Sequence, residues 1–169
     1  MTQIIKNRQA VADEYSIIKL AEGDTPEAVA LPAGAVLVPL SVWTTRKTEL
    51  LARGTRVGVW LDAGEGPEAL AADLDQLPVI GVNFPKFVDG RGYTTARLLR
   101  ERHGYHGEIR AIGDVLQDQL FLMARCGFDA FALKEGKDIA KAVNAFETFK
   151  TPYQAAVDQP NPLFRRRAA

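Results

Sequence analysis

The chain is poor in the residues that hold metals and redox centres. Its 169 residues include one cysteine, Cys126, and two histidines, His103 and His106. A single cysteine excludes an intrachain disulfide and a cysteine-based cluster. A structural zinc site draws about four ligands, mostly from Cys and His, which this composition does not readily supply. Net charge is absent too: Lys plus Arg and Asp plus Glu number 21 each, so no global field gathers nucleic acid or a membrane surface. No run approaches the roughly 18 apolar residues of a membrane span. The opening MTQIIKNRQAVADEY lacks the apolar stretch of a signal peptide, so a cytoplasmic protein is expected. Neither GxGxxG after a first strand nor a Walker loop occurs. No cofactor is evident, and no metal site is expected.

What is present is ordinary globular material, with 47% hydrophobic and 25% charged residues. The length suits one domain that buries its core without staples. The zero net charge hides a split. Residues 1–84 carry seven basic and eleven acidic side chains, residues 85–169 fourteen and ten. The second half is therefore the place to look for an anion or an acidic partner.

Short strands are expected at residues 3–5 and 15–20, an antiparallel pair around a polar turn at Lys6 and Asn7. Compact apolar runs then alternate with helical patterns. Strands are expected at 35–40, 57–61, 79–83, 108–112 and 129–133. Helices are expected at 42–51 with Ser41 as N-cap, and at 68–74, 93–103, 114–126 and 138–149. Such alternation predicts a single α/β domain over residues 1–155, with a five-stranded, mainly parallel sheet. Helices on both faces would make it Rossmann-like and doubly wound; a half-barrel is the alternative. Residues 156–169 form an irregular basic tail ending in Arg165, Arg166 and Arg167.

In open α/β sheets ligands bind beyond the carboxyl ends of the strands. Those ends hold Ser41 and Thr44, Asp62 and Glu65, Gly113 and Asp114, and Lys134, Glu135 and Lys137. The richest is NFPKFVDGRGYTT, residues 83–95. Asn83, Lys86, Asp89, Gly90, Arg91, Gly92 and Thr94 are the candidate ligand-binding residues. Two glycines turn the backbone just before a helix whose first amides favour an anion, and Arg91 can grip two oxyanion oxygens. A purely structural loop is the competing reading.

Asp114 with Gln117 reads as a capping box. Asp118, among leucines and phenylalanine, is either a paired structural aspartate or a general base, and with Asp89 completes the catalytic candidates. Cys126 at a helix end reads as a small hydrophobe. His103 and His106 fall on the opposite side of the sheet. The arginine tail is either solvated or a docking peptide for an acidic partner.

The blocks FPKFVDGRGYTTARLLRERHGY and GEIRAIGDVLQDQLFLMARCGFDAF, with YQ and PLFRRR near the end, resemble a bacterial family of unknown function. That family is sometimes described as an oxidoreductase of sulfite reduction, because its genes neighbour that of the sulfite reductase haemoprotein. The likeness runs from about Ile4 to Arg167 and carries no catalytic residues with it. It implies an accessory of assimilatory sulfite reduction, with sulfite reductase or its electron donor as partner. A small-oxyanion-binding enzyme working through the loop at 83–95 is the alternative.

Overall fold

The computed structural model describes residues 2–167. Eight strands form one mixed sheet: β1 (Gln3–Lys6), β2 (Gln9–Ala12), β3 (Tyr15–Ile17), β4 (Ala35–Pro39), β5 (Val57–Leu61), β6 (Val79–Phe84), β7 (Glu108–Gly113) and β8 (Ala130–Phe131). Among the described residues five α-helices accompany them: α1 (Leu40–Ala52), α2 (Arg91–Glu101), α3 (Leu120–Arg125), α4 (Ile139–Ala142) and α5 (Leu163–Arg166).

The spatial order is β2-β1-β8-β7-β6-β5-β4-β3. β3 to β8 run parallel and lie in consecutive order. The single α/β domain is as the sequence implies. The five-stranded, doubly wound arrangement is not, because a doubly wound sheet needs a reversal of strand order. Every right-handed crossover between consecutive neighbours drops its helix on the same side. The core confirms this one-sidedness. Val36, Val38, Val59, Ile80, Val82, Phe84, Ile109 and Phe131 pack with Val42, Trp43, Leu99, Met123 and Phe146 from the helical segments. The opposite face holds a small cluster of Tyr15, Leu37, Val79 and Ile112, all from strands.

The N-terminal antiparallel pair exists, but its members are β1 and β2. Asn7 and Arg8 both take positive φ, 49° and 64°, the two left-handed residues that a tight hairpin of matching twist requires. β1 then inserts antiparallel beside β8. β3, expected to pair with β1, lies at the other edge, parallel to β4.

The sheet curls strongly. β3 and β7 are four strands apart, about 19 Å across a flat sheet at ~4.8 Å per strand. Yet Arg110 of β7 sets its guanidinium 5.1 Å from the Tyr15 ring of β3 and pairs with Asp13 beside it at 2.7 Å. The helix-free face is therefore a concave interior. Gly58 and Gly81 make room for its filling: a Cβ on Gly58 would stand 2.7 Å from Leu37 Cδ1 and from the Val79 carbonyl oxygen.

Several expected helices are shorter than their apolar patterns. Residues 68–74 give two 3-10 turns, Pro67–Leu70 and Leu74–Gln76. Between them, Asp73 accepts the Trp43 indole N–H at 2.8 Å and pairs with Lys47, a tertiary tie to α1. Ser41 is not the N-cap of α1; Pro39 is, closing β4 and opening the helix. The stretch expected as an irregular tail contains α5 and folds back on α3. The Val157 N–H donates to the Arg125 carbonyl at 3.1 Å, and Arg125 reaches the Gln154 carbonyl. Ala168 and Ala169, at the end of that tail, lie outside the described residues.

Candidate functional site

The carboxyl ends of the parallel strands open the concave interior on one side. Asp62 follows β5 there and Asn83 is the next-to-last residue of β6, and the Asn83 Nδ2 donates to Asp62 Oδ1 at 2.8 Å. Glu65 folds back to accept the Asp62 N–H at 2.7 Å. With Lys19, Ser41 and the Trp60 side chain, these three line a cleft of about 370 Å³. Trp60 is fixed in place because its indole N–H donates to the Ile18 carbonyl at 2.9 Å.

The loop after β6 is built differently from the open anion cradle that its sequence suggests. Arg91 is gripped by Asp89: Nε donates to Oδ1 at 3.0 Å and Nη2 to Oδ2 at 2.6 Å. The Arg91 N–H, at the start of α2, also donates to Asp89 Oδ1 at 3.2 Å. The loop's own carboxylate thus occupies both the guanidinium fork and the first amide of the helix. These bonds hold the Asp89 carboxyl down to about 2, so it is ionised and unsuited to donating a proton near neutrality. Gly90 sits at φ −87° and needs no glycine for its conformation. Gly92 is buried, with Phe84 so close that a Cβ would lie 2.6 Å from its ring; it seats α2 on the sheet. Lys86 and Thr94 are exposed.

Asp118 is exposed in the 3-10 turn Gln117–Gln119, on the surface rather than among the leucines. The capping pattern expected at Asp114 and Gln117 sits two residues later, where the Gln119 side chain accepts the Leu116 N–H at 3.0 Å. Asp114 instead braces the neighbouring loops. It accepts the Phe87 N–H at 3.2 Å and pairs with Lys134 at 2.9 Å, which lowers its carboxyl. The Gln119 amide donates to the Phe87 carbonyl at 3.3 Å. The loop carrying Phe87 and Val88 is thereby pinned from both sides, while Phe87 remains 42% and Val88 83% exposed.

His103 and His106 line a separate cleft with Leu74, Asp75 and Tyr105 at the amino ends of the strands, away from this face. Cys126 is half-buried, and burial pushes its thiol up. Among the described residues no group of three or more His, Cys, Asp and Glu could hold a metal ion. No described helix is long and apolar enough to cross a membrane.

Sequence reasoning missed the charged group inside the curl. Arg110, 2% exposed, donates to Glu108 at 2.7 Å and to Asp13 at 2.7 Å. Lys6 pairs with Glu108 at 2.7 Å. A signal existed in GEIRAIG, where Glu108 and Arg110 alternate with Ile109 and Ala111 and so share one face of a buried strand.

Fold and site together define a singly wound α/β protein, its helices outside a curled sheet and its open mouth at the strand ends. Within that class the chain belongs to the family described as bacterial protein of unknown function (DUF934), whose profile matches residues 58–164. That stretch runs from β5 into α5 and contains the whole pinned loop. No curated protein and no solved structure matches the chain.

Proposed function

We propose that this protein is a cytoplasmic accessory of assimilatory sulfite reduction, docking through its strand-end face to sulfite reductase or to its electron donor. The resemblance of the two central blocks supplies the pathway. One observation supports docking: the Phe87–Val88 tip is apolar and exposed, while its Phe87 backbone is tied to Asp114 and Gln119. Adjacent exposed apolar side chains on a held loop are a surface that a partner can cover. A preordered tip also loses little freedom on binding, so more of its burial appears as affinity. Lys86 and Lys134, exposed beside it, suit an acidic rim.

The test is association of the purified protein with the sulfite reductase holoenzyme and with its electron donor, measured by surface plasmon resonance. Val88→Asp should weaken binding at least about tenfold, the mark of a contact near the centre of an interface. Absence of binding to either protein, with equal growth of a deletion strain on sulfate, sulfite and cysteine, removes the assignment.

The alternative reading is a small-oxyanion-binding enzyme, with Lys86 and Arg91 as anion ligands and Asp89 or Asp118 as acid or base. The Trp60-walled cleft with Lys19 and Asn83 at the strand ends favours it. In the loop itself, an incoming oxyanion would have to displace Asp89 from Arg91. Calorimetric titration of sulfite, sulfate and phosphate separates the two readings.

A further inference from the structure

Further exposed apolar side chains lie on α3 and the C-terminal segment. Leu122 on α3 and Phe149, Tyr153 and Phe164 near the C-terminal end are each more than half exposed. Phe149 packs at a tilt against Phe121 of α3, with ring centroids 5.2 Å apart. The Tyr153 carbonyl accepts the Leu163 N–H at 3.2 Å, one residue before Phe164.

The backbone beneath these rings is tied down. Arg125 of α3 holds the Gln154 carbonyl, Arg166 donates to the Pro152 carbonyl at 3.1 Å, and Ala156 and Gln159 form a bridge. The segment is thus a formed surface with its aromatic side chains turned out.

Charge says what fits it. In a chain of zero net charge, residues 148–167 carry Lys150, Arg165, Arg166 and Arg167 against Asp158 alone. Arg166 is engaged within the segment, whereas Lys150, Arg165 and Arg167 are exposed. The Arg165 guanidinium lies 5.8 Å from the Phe164 ring centroid, so cation and aromatic present themselves together. Arginine beside exposed aromatics is the composition of interface centres, and arginine forks match carboxylates in pairs. Two copies of this chain meeting through the same patch would set like charges against each other, which is costly.

We infer that this surface docks an acidic segment of a partner protein. Carboxylates would meet Arg165 and Arg167, with Lys150 nearby in the sequence, and a large apolar side chain would lie against Tyr153 and Phe164. Its lining residues are not those of the Phe87–Val88 tip, and it does not depend on the pathway proposed above.

The probe is a short fluorescent peptide of aspartate and glutamate carrying two phenylalanines, followed by anisotropy with the full chain. Binding should weaken as salt rises, because exposed charges are screened. Phe164→Ser and Arg165→Glu should each weaken it about tenfold or more, as expected of interface anchors. Replacing the peptide's phenylalanines by serine should also weaken it. Circular dichroism confirms that each variant is folded. No binding by the parent protein overturns the inference, as does equal binding by both variants. Tighter binding of single-stranded polyuridine than of the peptide overturns it in favour of nucleic acid. A dimer seen by sedimentation and dissolved by Phe164→Ser overturns it in favour of a second copy.

Discussion

Replacing Arg110 by alanine tests the reading of the curled interior most directly. Its guanidinium is enclosed and bonded to Glu108 and Asp13. Glu108 would keep Lys6, and Asp13 would keep the Tyr15 N–H at 3.0 Å. Both carboxylates would nevertheless stay inside with their strongest partner gone. Removing one member of a buried charged group costs about 3–5 kcal/mol. For a chain of this size that corresponds to roughly 6–20 °C of melting temperature, at about 2–4 °C per kcal/mol. Urea unfolding followed by tryptophan fluorescence measures it, since Trp43 reports the outer core and Trp60 the concave side. A double-mutant cycle isolates the pair: Arg110→Met, Asp13→Asn and both together. The amide oxygen introduced by Asp13→Asn can still accept the Tyr15 N–H, so the coupling energy belongs to the ion pair. It should fall in the range of about 0.5–3 kcal/mol expected of contacting residues. A loss below about 1 kcal/mol for Arg110→Ala, in line with an ordinary surface change, would show that the interior is open to water. The enclosed curl would then be wrong.

Gly58→Ala should cost about 1–3 kcal/mol as an overpacked core does, because its Cβ meets a backbone carbonyl as well as Leu37; an unchanged urea midpoint would contradict the close approach. The Asp89 carboxyl, followed by NMR, should titrate at about 2 in the parent and rise in Arg91→Ala, which loses the side-chain bonds but keeps the backbone N–H. Its folded-state value is depressed, so its contribution to stability is present above the unfolded value and is lost as pH falls through about 2. Cys126 should alkylate with a pH midpoint above that of a free thiol, because burial raises it; a midpoint below that value would mark a reactive cysteine.

The alternation of strand and helix was legible because apolar runs and helical periodicity are local. β4, β5, β6 and β7 stand within a residue or two of where their patterns place them. The order of the strands was not legible. Consecutive and reversed orders use the same βα units, and only the packing of all of them decides. β2, QAVA, escaped notice because three of its four residues are exposed and carry no apolar alternation. At the site, glycines and charge drew attention to the loop at 83–95, and the loop does lie at the strand ends. That Asp89 would fill the Arg91 fork is a matter of side-chain reach across two residues, which spacing permits but does not decide. The Arg110 group was hidden for another reason: its partner Asp13 is 97 residues away in sequence.

The position of β1 between β2 and β8 has a consequence for how the protein is made. Ile5 pairs with Phe131, so a strand near the beginning of the chain must wait for one synthesised more than a hundred residues later. At translation rates of about 5–20 residues per second, the delay is roughly 6–25 s. Throughout that time the hairpin of β1 and β2 leaves the ribosome with one edge unpaired and Ile4 and Ile5 uncovered. Its turn, held by Asn7 and Arg8, can form at once, whereas its place in the sheet cannot. The ribosome-bound chain therefore carries a sticky hairpin until β8 emerges, and this interval is where a chaperone would find it.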